Sequence, residues 1–146
     1  MSKYKAIEDR YKLKLNVFKG VCENLANLSY DSKMKVAAIV ISDDFREICS
    51  IGYNGNYKGG PNERESDQVG MSGFLHAEEN ALFHLSVDYE KRSKLIMIVT
   101  HKPCRMCIKR IINSGIKRVY YINDYSDNGN NFDSFVNNTS ITMSKL

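Results

Sequence analysis

Several features that would direct a reading are scarce in this sequence. Its 146 residues include four cysteines, Cys22, Cys49, Cys104 and Cys107, too sparse for a disulfide scaffold in a chain of this length. No apolar run approaches the ~20 residues that span a bilayer, and Met1-Ser2-Lys3-Tyr4-Lys5 leads into polar sequence instead of a signal peptide's apolar stretch. The expectation is a soluble, cytoplasmic protein without a membrane partner. Neither sign of charge dominates: 21 Lys and Arg stand against 17 Asp and Glu, a formal +4. That excess is too small to argue for a nucleic-acid partner, although a small anionic ligand fits it. There is no internal repeat. With 26% charged residues of both signs and 10% aromatics, disordered and collagen-like classes are excluded.

What is present is enough apolar material, 42% of the chain, for one sizeable core, so residues 1–146 are expected to form a single domain. From Lys3 to about Asn27, Tyr4, Ile7, Tyr11, Leu15, Phe18, Cys22 and Leu25 recur at spacings of three and four, the stripe of a long helix. Val36 to Ile41 is a β-branched, uncharged run that suits a strand buried on both faces. Ser42-Asp43-Asp44 turns it into a second strand, Ile48 to Tyr53, and the two read as a hairpin. Asn54 to Phe74 holds five of the nine glycines and one of the two prolines, and is expected to be a long functional loop. A helix carrying Ala77, Ala81, Leu82 and Leu85 follows, then a strand from Leu95 to Thr100. A helix opening at Pro103 and Cys104 stops at Gly115, and a strand runs from Val119 to Ile122. In the Asn-rich tail, Phe132, Phe135 and Val136 suggest one or two helical turns, and Ile141 with Met143 a short closing strand. The sum is a three-layer α/β/α domain with a mixed, about five-stranded sheet.

The chemistry lies at two helix starts, His76-Ala77-Glu78 and Pro103-Cys104-Arg105-Met106-Cys107. Cys104 and Cys107, three apart on a helix, face the same way, and the positive end of the helix dipole favours the thiolate form that binds metal. One His and two Cys suit zinc and leave the fourth tetrahedral position open for water, which points to catalysis. Glu78, two residues after the His, is the natural proton shuttle between that water, a ring nitrogen and a leaving amine. The purely structural alternative, a closed zinc site, normally needs four protein ligands.

His-x-Glu followed by Pro-Cys-x-x-Cys is the signature of zinc nucleobase deaminases, and the chain after its first helix resembles the deoxycytidylate (dCMP) deaminase family of the cytidine deaminase-like superfamily. The resemblance is carried by Val36-Ala37-Ala38-Ile39-Val40, Gly52-Tyr53-Asn54-Gly55, His76-Ala77-Glu78-Glu79-Asn80-Ala81, Thr100 to Cys107, and Gly115-Ile116-Lys117-Arg118-Val119-Tyr120-Tyr121. It implies a cytidine deaminase-like fold with zinc on His76, Cys104 and Cys107 and Glu78 as acid/base. Asn54 would hydrogen-bond the sugar, and the Ala77 backbone would read the base edge. The implied reaction is hydrolysis of dCMP to dUMP and ammonia, supplying dUMP for thymidylate synthesis, in a homo-oligomer that in this family is commonly a hexamer. The run Asn56-Tyr57-Lys58-Gly59-Gly60-Pro61-Asn62 departs from the family's usual loop, but some members, bacteriophage ones included, carry Gly-Gly there. Glu63 to Gly73 lacks the Cys and His with which some relatives bind a second zinc, so one zinc per chain is expected. Two alternatives stand beside this reading. One is a deaminase of another cytosine or cytidine derivative, or of a base in RNA; the other is an inactive zinc or nucleotide-binding module, against which the intact Glu78 argues.

Other residues carry weaker signals. Cys22 and Cys49 read as buried small hydrophobes, and His84 and His101 as structural or surface residues outside the metal group. Tyr120 and Tyr121 alternate across a strand, so one packs in the core and the other, taken as Tyr121, is a candidate to reach the nucleotide. Lys33, Lys35 and Lys58 are candidates for a 5′-phosphate contact against the ordinary fate of solvated loop lysines. Between His101 and Ile122 lie six basic residues and no acidic one, which predicts a cationic side to the metal site.

Overall fold

The computed structural model describes residues 2–125 and 129–146. Residues 126–128, part of the Asn-rich tail, and Met1 lie outside the described residues. Strands β1 (Ala37–Ile41), β2 (Ile48–Tyr53), β3 (Ile96–His101), β4 (Arg118–Asn123) and β5 (Thr142–Lys145) form one sheet in the order β2-β1-β3-β4-β5. The expected hairpin is there: β1 pairs antiparallel with β2, and on its other edge with β3. From β3 the sheet turns parallel, β4 lying beside β3 and β5 beside β4. The sheet is therefore mixed.

Helix α1 (Lys3–Leu25) covers one face of the sheet, and α2 (Ala77–Phe83) and α3 (Arg105–Ser114) the other. Period-two alternation assigns β1 to both layers: Ala37, Ile39 and Ile41 face α1, whereas Ala38 and Val40 face α2 and α3. All five are fully buried, as the uncharged β-branched run requires. The short α4 (Phe132–Asn137) packs Phe132 and Val136 against Ile108 of α3.

The stripe of α1 is only partly used. Leu15 and Cys22 are buried, but Tyr4 is 81% and Ile7 57% exposed. A 23-residue helix is about 34 Å long at 1.5 Å per residue, whereas five- or six-residue strands reach about 20 Å, so its first turns overhang the sheet. Cys22 lies in the core as expected, donating weakly to Ala37 O and Ile98 O. Cys49 is only half-buried, because alternate residues of the edge strand β2 face outward.

Two glycines are required by the geometry. Gly115 ends α3 at φ +93°, in the left-handed region. Gly52 lets β2 touch α2, since a Cβ there would lie 2.3 Å from both Ala77 O and Ala81 N. That close approach, with Ser50 Oγ donating to Ala81 O at 2.5 Å, sets the height at which α2 begins over the sheet.

Candidate functional site

Two helix starts meet on the α2/α3 side. His76 is the N-cap of α2, and its backbone N–H donates to the Glu79 carboxylate at 3.0 Å. Cys104 is the N-cap of α3, placed by the Pro103 turn after β3, and its carbonyl accepts from Ile108 N at 2.9 Å. Cys107 follows one turn on and is buried. Nδ1 of His76 is 3.2 Å from Cys107 Sγ and 3.8 Å from Cys104 Sγ, and the three donor atoms all lie within 4.8 Å of one another. Tetrahedral zinc with bonds of about 2.0 to 2.3 Å needs donor separations of about 3.5 to 3.8 Å, so this set fits that ion. It is the only such group of three among the described residues, and neither His84 nor His101 belongs to it.

The electrostatics point the same way. The Cys107 thiol and the His76 ring hold the Cys104 thiol down to about 3 against the opposing effect of burial. Cys107 is pushed up, first by that hydrogen bond to Cys104 and then by burial, and His76 is raised, chiefly by Cys104. Two sulfurs and an imidazole nitrogen crowded this closely perturb one another's protonation, as donors do at a point where a divalent cation would take the place of their protons. Glu78 is buried, with the Cys107 sulfur beside its carboxyl, and burial raises its pKa.

These groups open onto a cavity of about 530 Å³, a size suited to a small-molecule ligand. His76, Ala77, Glu78, Cys104, Asn54 and Lys33 all line it. Lys58 and Tyr121 are not among its lining residues. Lys58 stands on a turn in which Gly60 N donates to Tyr57 O, and Tyr121 packs into the α2/α3 core with Lys102 Nζ 5.4 Å above its ring. Its neighbour Tyr120 faces α1, its hydroxyl 2.8 Å from that of Tyr11. The tyrosine that does line the cavity is Tyr125, beyond the end of β4.

Asn54 is held on every side. Its Oδ1 accepts from Val36 N at 2.9 Å and from the Ser29 hydroxyl at 2.5 Å, and its Nδ2 donates to Met34 O at 2.8 Å and to Asp31 Oδ2 at 3.3 Å. Asp31 and Arg64, which belong to no motif in the sequence, also line the cavity, as do His101 and Lys102. Only the Asx pattern of Asp31, accepting from Lys33 N and Met34 N, has a local signal.

The basic run from His101 to Ile122 does not form one cationic wall. Of its six charges only Lys102 lines the cavity. Arg110 lies 3.3 Å from Glu79, and Arg118 donates to the Tyr11 hydroxyl on the α1 side. The residues alternate between sheet and helix faces, so a run of one sign in sequence is dispersed in space.

The family model described as "Cytidine and deoxycytidylate deaminase zinc-binding region" matches residues 14–123. ComE operon protein 2 of Bacillus subtilis is 33% identical over 105 residues, 69% of this chain and 54% of its own length. The deoxycytidylate deaminase of enterobacteria phage T4 is 34% identical over 69 residues, 47% of this chain and 36% of its own. The chain thus spans about half or less of the length of these two curated relatives. Among solved structures, the dCMP deaminase of cyanophage S-TIM5 in complex with dCMP and dUMP is 27% identical, with a TM-score of 0.69. That match covers 90% of this chain and 95% of the phage chain.

Proposed function

Since the chain belongs to the cytidine and deoxycytidylate deaminase family, by its match over residues 14–123, we propose that it is a zinc-dependent hydrolase that converts dCMP to dUMP and ammonia. The observation that carries this reading is the meeting of His76, Cys104 and the buried Cys107 beside Glu78, with His76, Glu78 and Cys104 lining one cavity. The phage dCMP deaminase that matches nearly end to end supports the choice of substrate.

His76, Cys104 and Cys107 would hold one zinc per chain. Bound there, zinc supplies a Lewis acid that lowers the pKa of water from about 15.7 to about 7. The remaining work falls to the chain's own groups. Glu78, fixed at the start of α2, accepts one proton of the attacking water and delivers it to N3 of the cytosine ring as the oxygen bonds to C4. It then takes the remaining proton from the new C4 hydroxyl and passes it to the amine, so that the C4–N bond breaks and ammonia leaves. Its burial excludes competing water. The Ala77 backbone borders the base, and Asn54 offers the sugar its carboxamide, drawing on the long 3.3 Å bond to Asp31. Lys33, which also lines the cavity, is the ammonium offered to the nucleotide's phosphate.

Among the described residues no helix is long and apolar enough to cross a membrane. Homo-oligomerisation belongs to the same reading, with exposed Phe83 and Met106 on α2 and α3 as apolar surface for a second copy, and mass in solution tests it. The reaction is tested by ammonia release from zinc-loaded protein offered dCMP, deoxycytidine, cytidine and a tRNA anticodon stem. Turnover of dCMP above the other three supports the proposal. Preference for another substrate reassigns it, and inactivity toward all four with zinc bound refutes a deaminase.

A further inference from the structure

Three cations line the cavity, and each is held by a carboxylate, but the three pairs differ in kind. Lys102 lies two residues before Cys104, at the metal end, between the rings of Tyr121 and Phe132 at 5.4 and 4.9 Å and 3.5 Å from Asp133. Arg64 and Lys33 also line the cavity, Arg64 being joined to Asn54 through Asp31. The Arg64 side chain is only 12% exposed and donates through Nη1 to both oxygens of Asp31, at 2.7 and 2.6 Å. Asp31, 2% exposed, also accepts from Lys33 N, Met34 N and the Asn54 carboxamide. This buried carboxylate therefore joins the loop before β1, the end of β2 and the long loop 54–76, and it fixes the guanidinium in place.

The third carboxylate is different. Asp67 is 77% exposed, yet its Oδ1 sits 3.1 Å from Lys33 Nζ and 4.0 Å from Arg64 Nε. An anionic oxygen thus rests between two cations on the cavity wall, with no other ion pair among the described residues. Exposed pairs of this kind are worth little, whereas a rigid guanidinium with a nearby ammonium suits a phosphate monoester. Arg64 Nη2 has no hydrogen bond among the described residues and remains as a donor.

We propose that Arg64 and Lys33 form the seat of the substrate's 5′-phosphate, with Asp31 as the positioning residue that fixes Arg64 and Asp67 as a stand-in anion displaced when the nucleotide enters. The seat makes the enzyme select a nucleoside monophosphate over the nucleoside. Asp67, by occupying the seat until a dianion arrives, sharpens that selection against weaker anions. This rests on the deaminase reading for its orientation, base at Glu78 and phosphate beyond Asn54, but the seat itself can be tested without turnover.

The decisive comparison is the ratio of kcat/KM for dCMP to that for deoxycytidine, in the zinc-loaded protein and in Arg64→Gln, Lys33→Met and Asp67→Asn. We expect the ratio to fall at least about tenfold in Arg64→Gln and Lys33→Met, mainly through KM for dCMP, and KM for dCMP to fall in Asp67→Asn. Arg64→Lys, which keeps a cation, should recover part of the loss and guards against a misfolded Gln variant. In parallel, calorimetry with dUMP and with inorganic phosphate measures the seat in protein that need not turn over. Weaker dUMP binding in Lys33→Met and tighter binding in Asp67→Asn would support the seat even if no substrate were deaminated. A wild-type ratio near one, or a ratio and dUMP affinity unchanged in Lys33→Met and Asp67→Asn, would overturn the proposal while leaving the deaminase reading intact.

Discussion

Nδ1 of His76 lies 3.2 Å from the sulfur of Cys107, although 31 residues separate the two in the chain. The contact exists because α2 and α3 start at the same end of the same sheet face and aim their first turns at one point. A metal bound there should hold the two helices together. Replacing His76 or Cys107 by Ala should abolish stoichiometric zinc, measured by atomic absorption, and chelation should lower the melting temperature of the wild type by several degrees but not that of the variants. Full zinc content in Cys107→Ala would dissolve the assigned group.

The position of α2 depends on a residue far from any chemistry. At Gly52 a methyl group would meet the α2 backbone at 2.3 Å, and neither backbone can yield as a flexible side chain could. Gly52→Ala should cost at least about 1 to 3 kcal/mol in denaturant melts and weaken zinc retention, because His76 moves with α2. A variant with wild-type stability and metal affinity would show that strand and helix can separate freely.

Most of this arrangement is legible in the sequence because it is local. The metal donors announce themselves by residue type and spacing, and the strand and helix periods assign β1 and α3 to their layers almost residue by residue. What is not legible is where irregular chain returns in space. Lys33 and Lys58 look equivalent as loop lysines, yet the turn at Tyr57 to Gly60 carries Lys58 away while the Asx turn at Asp31 holds Lys33 at the cavity. Arg64 meets Asp31 across 33 residues of loop and strand, a pairing with no period to reveal it. Of the tyrosines, Tyr121 is on a strand and is claimed by the core, whereas Tyr125, beyond the strand's end, reaches the cavity. The overhang of α1 follows from a length mismatch that a helical stripe cannot express.

The buried carboxylate should also appear in the acid stability of the protein. Burial alone would raise the Asp31 carboxyl, but the Lys33 and Met34 N–H groups and Arg64 together hold it below the ordinary carboxylate value. A depressed folded-state pKa gives stability that is present above the unfolded value of about 3.9 and is lost as pH falls through the folded value. Urea melts should therefore show a loss below about pH 4 that is smaller in Asp31→Asn, which should be less stable than the wild type at pH 7. Identical pH profiles for the two proteins would remove Asp31 from the account of acid unfolding.

The two cysteines outside the metal group should be distinguishable by chemistry. Cys22 is fully buried, and burial followed by the nearby Glu23 pushes its thiol up to about 12; Cys49 is also raised, by burial first, but is half-exposed on the edge strand. Iodoacetamide at pH 8 should label Cys49 in the zinc-loaded native protein and leave Cys22 unmodified until denaturant is added, as peptide mass mapping can establish. Equal labelling of both would mean that α1 opens from the sheet under native conditions.

The most direct test of the central claim compares ammonia release from dCMP by the wild type and by Glu78→Gln, with zinc content measured in the same samples. Gln preserves the shape of the side chain but cannot carry the proton. We expect the wild type to turn over dCMP and the variant to retain its zinc while losing roughly 10²- to 10⁴-fold or more of kcat. Undiminished turnover in the zinc-loaded variant, or no turnover by a wild type carrying one zinc per chain, would contradict the assignment of this site as a deaminase centre run by Glu78.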